Sequence, residues 1–243
     1  MNAIETRKLT KRYGTLVALD ALDLAVAQGE MLALLGVNGA GKSTAIKLLS
    51  CLTSPDGGEA YLGGYSIGTD AQRIKEIIGV SPQETAIAKK LSVRENLEFM
   101  AQIHGESKAQ AAASATAMIE KMKLAEVADR RAGQLSGGWQ RRISIALALI
   151  SRPRILFLDE PTLGLDVIAR HELWELIREL KGEVTVVLTT HYLEEAESLC
   201  DRIAILSGGR LTAIGTTSEL MALAGCERFE DAFVRLCSKG VRG

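Results

Sequence analysis

The chain has 243 residues, of which 47% are hydrophobic and 24% charged, and its formal net charge is -1. This high apolar content and low net charge exclude disorder along the whole chain. The near-neutral balance gives no electrostatic reason to bind nucleic acid, so we expect no nucleic-acid partner. The apolar stretches fall far short of the roughly 18 to 20 residues that a membrane-spanning helix needs. The four cysteines show no Cys-x-x-Cys spacing, so we expect neither a zinc site nor a disulfide framework.

The first third of the chain predicts strands on either side of one glycine-rich loop. Alternating apolar positions predict antiparallel strands with a single buried face. The positions on that face are Ile4, Thr6, Lys8, Leu16, Ala18, Leu22, Leu24 and Val26. The apolar run 31–35, which ends at a glycine, predicts a strand buried on both faces. A helix over 44–52, a turn and short strand within 54–64, and a strand over 77–81 follow.

The middle of the chain predicts helices, and the last third alternates strands with helices. A capping box at Ser92 and Glu95 opens one helix, 107–122 is an alanine-rich second, and 137–150 is a buried third. Strands over 155–159, 184–190 and 202–207 then alternate with helices, which indicates a parallel sheet. We therefore predict an α/β fold with an N-terminal antiparallel β-subdomain. The core with that subdomain covers 1–83 and 153–243, and an inserted helical subdomain covers 84–152.

Residues 36–43, GVNGAGKS, match the phosphate-loop pattern G-x-x-x-x-G-K-[ST] between a predicted strand and a predicted helix. Glycines allow the backbone to approach a ligand closely, and exposed N–H groups at a helix start attract phosphate oxygens. Lys42 adds a positive charge near the outer phosphates, and Ser43 offers a hydroxyl to Mg²⁺. The loop therefore predicts a P-loop nucleoside triphosphatase core, and by itself it leaves a GTPase or a kinase open.

Two acids and a histidine follow apolar strands, at the sheet edge where parallel folds place ligand-binding groups. Asp159 ends the strand ILFLD, and we expect it to bind Mg²⁺ together with Ser43. Glu160 comes next and suits a general base that polarises an attacking water. His191 follows the strand VTVVLTT, and its position favours contact with the γ-phosphate.

Residues 135–140, LSGGWQ, indicate a second anion site. Ser136, Gly137 and Gly138 stand at the start of a predicted helix, where the backbone attracts anions. One ATP molecule does not need two such anion sites from the same chain. We therefore expect this segment to meet a γ-phosphate that a partner subunit holds.

In these motifs the sequence resembles the nucleotide-binding subunit of an ATP-binding cassette (ABC) transporter over nearly the whole chain. The resemblance implies that Gln83, in GVSPQE, contacts Mg²⁺ and the water and faces the membrane subunit. Lys42, Gln83, Glu160 and His191 would then be catalytic, and Ser43, Gln83 and Asp159 would hold Mg²⁺. The ATP-binding residues implied are Tyr13, Gly36, Val37, Asn38, Gly39, Ala40, Gly41, Lys42, Ser43, Thr44, Ser136, Gly137, Gly138 and Asp166.

The resemblance implies an ATP-hydrolysing subunit that powers transport through transmembrane permease subunits on separate chains. PTLGLD and the tail motif FEDAF at 229–233 resemble the exporter branch. Two features depart from the commoner family pattern: LGLD, and Trp139 in the segment LSGGWQ (135–140), which resembles the family signature and is called the signature below. A second nucleotide-binding subunit, identical or related, would complete the dimer. We expect a cytoplasmic protein, peripheral on the inner face of the cell membrane, since the first ten residues lack a secretory apolar run. The alternative is a soluble ABC-type ATPase that drives a non-transport complex, whereas LSGG argues against a stand-alone kinase or GTPase.

Overall fold

The computed structural model describes residues 2–239, which form two sheets and surrounding helices. The antiparallel sheet has the order β2-β1-β4-β5, and the larger sheet has the order β10-β9-β3-β8-β7-β6. The strands are β1 (Asn2–Tyr13), β2 (Leu16–Ala27), β3 (Met31–Leu35), β4 (Gly57–Leu62), β5 (Tyr65–Ser66), β6 (Ile78–Ser81), β7 (Ile155–Asp159), β8 (Thr185–Thr190), β9 (Arg202–Ser207) and β10 (Arg210–Gly215).

Helices cover the larger sheet and link its strands. They are α1 (Lys42–Leu49), α2 (Ala71–Ile77), α3 (Val93–Ile103), α4 (Lys108–Lys121), α5 (Gly137–Leu149), α6 (Val167–Arg178), α7 (Leu193–Leu199), α8 (Thr217–Ala224) and α9 (Phe229–Lys239). The FEDAF motif opens α9, whose Phe229, Ala232 and Leu236 are buried against the core. Helices α3 to α5 lie between β6 and β7, where we expect the helical subdomain, and the boundaries at 84 and 152 remain a prediction. Within residues 2–239, no helix combines the length and the apolarity needed to cross a bilayer.

The larger sheet is buried on both faces, as its continuous apolar runs predict. Leu32, Leu34 and Phe157 pack on the side of the antiparallel sheet and α1. Ala33 and Leu156 pack on the opposite side, with the helices. Five strands run parallel, and only the edge strand β10 is antiparallel to its neighbour β9. The observed layers agree with the predicted α/β class and its separate antiparallel sheet.

The predicted buried face of the first two strands is wrong at Lys8 and Leu16, because β-bulges shift the register of the strands. Lys8 has a φ of 50° and is exposed, and the register shifts there, so Leu9 is buried instead. In β2, Leu16 is 64% exposed and Leu19 is fully buried, because further register shifts change which side chains point inward. Gly58 lies against the first bulge, and a Cβ atom on it would stand 2.2 Å from the carbonyl oxygen of Lys8. The bulge therefore depends on a glycine in the neighbouring strand β4.

Candidate functional site

A cleft of about 420 Å³ lies at the edge where β3, β6, β7 and β8 end. Of the candidate residues it is lined by Tyr13, Asn38, Gly39, Ala40, Gly41, Lys42, Ser43, Thr44, Gln83, Glu160 and His191. Gly36 and Val37 belong to the same loop, and Asp159 is buried at the end of β7. The structure thus brings together most of the predicted site, although its residues come from distant parts of the sequence.

The phosphate loop has a backbone path that only glycine permits at two positions. A Cβ atom on Gly36 would lie 2.5 Å from the carbonyl oxygen of Leu206. Gly41 has a φ of 103°, and a Cβ atom there would lie 2.6 Å from the carbonyl oxygen of Ala18. Helix α1 begins at the next residue, Lys42, so its first N–H groups, which have no partner within the helix, lie at the cleft. This arrangement fits a phosphate group.

Lys42 is buried beneath the loop, with 6% of its surface exposed. Its ammonium group donates to the carbonyl oxygen of Gly36 at 2.7 Å. The same nitrogen lies 3.4 Å from Oε1 of Glu160, whose side chain is also buried. The positive charge is therefore held at the floor of the cleft, where a phosphate oxygen could replace one of these acceptors.

Asp159 accepts hydrogen bonds from two hydroxyls through the same oxygen, Oδ1. Ser43 donates at 3.2 Å and Thr189, in β8, donates at 2.5 Å. Thr189 in turn accepts from the backbone N–H of Glu160 at 2.9 Å. A hydroxyl and a carboxylate at hydrogen-bond distance are the hard oxygen donors that suit Mg²⁺. Sequence reasoning did not identify Thr189, since the apolar strand pattern around it marks it only as part of β8.

Glu160 and His191 form a pair among the side chains that line the cleft. Nδ1 of His191 lies 2.8 Å from Oε2 of Glu160. Glu160 has a φ of 49°, in the left-handed region that non-glycine residues uncommonly adopt. His191 is about one-third exposed and Glu160 is buried, so the pair spans the boundary between the core and the solvent. Such a pair can hold a water molecule and accept its proton.

The remaining cleft residues come from the rim. Tyr13 is 47% exposed beside the phosphate loop, and Nζ of Lys11 lies 5.5 Å from its ring centroid. An exposed aromatic ring at this position can stack on a planar base. Gln83 also lines the cleft, two residues after β6 ends.

Four predicted nucleotide contacts, Ser136, Gly137, Gly138 and Asp166, lie outside this cleft. Ser136 and Gly137 are exposed at the start of α5. Asp166 caps α6 instead, because its side chain accepts from the N–H of Ala169 at 2.9 Å. A Cβ atom on Gly138 would lie 3.2 Å from Cβ of Ala169, so the two helix starts pack closely. One copy of the chain therefore presents these residues to its surroundings.

Arg141, in the first turns of α5, is a residue whose role sequence reasoning missed. It is 5% exposed, and its guanidinium donates to the carbonyl oxygens of Pro82 at 2.7 Å and Gln83 at 2.6 Å. Burial lowers the pKa of Arg141, and the charges of Asp159 and Glu195 oppose that change. The buried side chain thus ties the segment that carries Gln83 to the helix that starts at the signature.

Trp139, the unusual residue of the signature, connects α5 to α6. Its ring is half-buried against the helical core, and the guanidinium of Arg142 lies 4.8 Å from the ring centroid. Arg142 also pairs with Glu172 of α6. The Trp139 side chain therefore packs inside one subunit and leaves the exposed Ser136 and Gly137 uncovered.

Comparisons with known proteins identify the family. A family profile described as ABC transporter matches residues 19–163. The chain belongs to the ABC transporter family. The daunorubicin resistance ATP-binding protein DrrA3 of Streptomyces coeruleorubidus is 42% identical over 229 residues, which are 94% of this chain and 72% of that protein. Nod factor export ATP-binding protein I of Rhizobium etli is 40% identical over 233 residues, 95% of this chain and 73% of that protein.

The fold comparison agrees with the family. A solved dimeric ATP-binding cassette in a post-hydrolysis state, bound to ADP and Pi, aligns with a TM-score of 0.78 and 28% identity. The alignment covers 88% of this chain and 98% of that chain. The suspected ABC family, the α/β phosphate-loop fold and the ATPase activity are confirmed. This ABC subunit binds and hydrolyses ATP to power transport.

The contact between Arg141 and the Gln83 segment leads to a test in this ABC subunit. We expect Arg141→Met to raise amide hydrogen exchange near residue 83 by about tenfold or more, because hydrogen bonds from a charged donor contribute roughly 1.5 to 3 kcal/mol. Exchange measured by mass spectrometry on peptides covering 82–91 would show this. The matched control is Arg142→Met, which removes a neighbouring guanidinium that pairs with Glu172 instead. Equal protection of 82–91 in the Arg141 variant and the wild type would contradict this assignment.

Proposed function

We propose that this chain powers export across a membrane, as one of two nucleotide-binding subunits attached to permease subunits on separate chains. The names of two relatives support export as the direction of transport, because one is called a Nod factor export protein and the other a daunorubicin resistance protein. The proposed location is the cytoplasmic, inner face of the cell membrane, where ATP is available. The alternative, an ABC-type ATPase in a non-transport complex, lacks a specific observation in its favour.

The observation that carries the dimer proposal is the separation of the signature from the cleft. Ser136 and Gly137 are exposed at a helix start, whereas the phosphate loop, Glu160 and His191 line the cleft. Each site would take its phosphate loop from one chain and its signature backbone from the other. A solved relative of this fold is dimeric, which supports the same arrangement. The second subunit is either an identical chain or a related one.

We assign Mg²⁺ to the oxygens of Ser43 and Asp159, together with Gln83, which lines the same cleft. Ser43 and Asp159 are already at hydrogen-bond distance, and Gln83 lines the same cleft, so this donor set fits the ion. When bound, Mg²⁺ would neutralise charge on the phosphate oxygens. Thr189 would keep the Asp159 carboxylate oriented through its short hydrogen bond.

In the proposed reaction, the phosphate loop and Lys42 hold the phosphates of ATP, and Tyr13 contacts the base. Glu160 accepts a proton from water as the water attacks the γ-phosphorus in line, and the bond from that phosphorus to the bridging oxygen breaks, with ADP as the leaving group. His191 stays beside Glu160 and the γ-phosphate, and the signature backbone of the partner stabilises the developing negative charge. Asp166 would contribute beside the signature from its position at the start of α6.

Transport would follow from a change in the relative stability of two dimer states. ATP contacts both chains only when the dimer is closed, so it favours the closed state through differential affinity. Cleavage of the γ-phosphate removes that bridge, and the dimer reopens. The segment with Gln83 and the helices of 84–152 would transmit the movement to the permease. Arg141 supports this route because it joins Gln83 to the helix that begins at the signature.

Replacing Glu160 tests the hydrolytic role. We expect Glu160→Gln to retain ATP binding and to lower kcat by about a hundredfold or more, because the amide cannot accept the proton from water. The variant should also accumulate as a closed dimer with ATP, detected by size-exclusion chromatography. Binding is measured with a fluorescent ATP analogue and turnover by phosphate release. Turnover at the wild-type rate would remove Glu160 from this role.

Mixing two inactive variants tests whether the site is shared between chains. We expect Lys42→Ala and Ser136→Arg to be nearly inactive alone, because each damages both sites of its dimer. A mixed dimer has one site with an intact phosphate loop and an intact signature. An equimolar mixture should therefore recover about a quarter of the wild-type rate from random pairing. No recovery, with mixed dimers shown by differential tags, would contradict the shared site.

Isolation from membranes tests the transport role against the alternative. A tagged chain should co-purify from detergent-solubilised membranes with a subunit that contains several apolar spans. The ATPase rate of that complex should then respond to cargo candidates. If the tagged chain instead co-purifies with a ribosome or another soluble assembly, and without such a subunit, the result would favour an ATPase that drives a non-transport complex.

A further inference from the structure

Glu195, in helix α7, is a buried acid to which neither the motifs nor the proposed mechanism gives a role. Its side chain is fully inaccessible to solvent. Oε1 accepts hydrogen bonds from the Thr162 hydroxyl at 2.8 Å and from the Trp174 indole N–H at 3.1 Å. Within residues 2–239, Oε2 has no hydrogen-bond partner. A buried ionised carboxylate with an unpartnered oxygen would be costly, so the neutral acid suits this place better.

Burial is the largest influence on the pKa of Glu195, and it disfavours the ionised carboxylate. Burial raises its pKa, and the nearby donor groups of Thr190, Thr162 and Trp174 partly oppose the rise. The negative charge of Glu160 raises the pKa further. The positive charge of nearby Arg141 acts in the opposite direction, because it favours the ionised carboxylate. As a neutral group, Glu195 can still accept both hydrogen bonds through Oε1.

The two hydrogen bonds join segments that carry the hydrolytic pair. Thr162 stands two residues after Glu160, and Glu195 stands four residues after His191. Trp174 belongs to α6, a third element. Glu160 has a left-handed backbone, and such a conformation persists only where the surrounding structure fixes it. The carboxyl of Glu195 therefore lies where it can hold the backbone segments of both Glu160 and His191, whose side chains are 2.8 Å apart.

We propose that Glu195 is a positioning residue: by accepting hydrogen bonds from Thr162 and Trp174, it holds the segments of Glu160 and His191 in the geometry needed for hydrolysis. This inference rests on the proposed roles of Glu160 and His191. Glu195 itself contacts neither ATP nor the attacking water, so its loss affects turnover and leaves nucleotide binding in place.

Two substitutions separate the acceptor role from charge and from volume. Glu195→Gln retains the carbonyl acceptor and is neutral, so kcat should stay within about twofold of wild type. Glu195→Met has a similar length and no strong acceptor, so kcat should fall at least about tenfold, because small displacements of catalytic groups have large effects on rate. KM for ATP should change by less than about twofold in both variants. The full chain is used, and rates are measured by phosphate release at saturating ATP.

Thr6→Val provides a matched control for a lost buried hydrogen bond. The Thr6 hydroxyl donates to the carbonyl of Leu22 and accepts from the N–H of Leu24, both at 2.8 Å, and it lies in the antiparallel sheet away from Glu160. This variant should lower the thermal midpoint while kcat stays within about twofold of wild type. A fall in kcat that merely followed lost stability would appear in both variants.

If Glu195→Met fails to fold by circular dichroism, Thr162→Val replaces it, since valine keeps the volume and removes one donor. Its kcat should fall about threefold or more with KM unchanged. Wild-type kcat in Glu195→Met or in Thr162→Val overturns the inference. Equal losses in the Gln and Met variants overturn the acceptor role. Turnover retained in Glu160→Gln would instead refute the proposed function, so the two failures are distinguishable.

Discussion

Burial of both faces of the larger sheet decides where the chemistry of this chain can lie. One face packs against the antiparallel sheet and α1, and the other packs against the helices, so the strand interiors are apolar. Polar side chains can meet a ligand only at strand ends, and parallel strands end at the same edge. Lys42, Gln83, Asp159 and His191 follow or end such strands, although long stretches of sequence separate them.

The parts of the site that the sequence predicts are those fixed by neighbouring residues. The phosphate loop is one continuous segment, and the spacing of Gly36, Gly41 and Lys42 already specifies its backbone path. Asp159 and Glu160 follow a short apolar strand, so their place at the sheet edge follows from strand direction alone. The α/β fold was predictable for the same reason, since the alternation of apolar strands and amphipathic helices is a local pattern.

The parts that the sequence could not predict depend on contacts between distant segments. The bulge at Lys8 changes the buried face of β1 because of Gly58, which no local alternation reveals. Thr189 looks like any β-branched strand residue, and only the pairing of β7 with β8 brings it to Asp159. Arg141 reads as a surface charge after the signature, yet the fold buries it against Gln83. In each case tertiary packing, which has no sequence period, assigns the role.

Helix α6 connects the exposed signature surface with the hydrolytic pair. Its first turn packs on Gly138 through Ala169, at the surface that we propose meets the partner's nucleotide. Further along, Trp174 donates to Glu195, which also holds Thr162 beside Glu160. Because packed interiors deform little, α6 forms a rigid packed connection between these two positions. The signature surface and the segment of Glu160 are therefore joined by contacts within one chain.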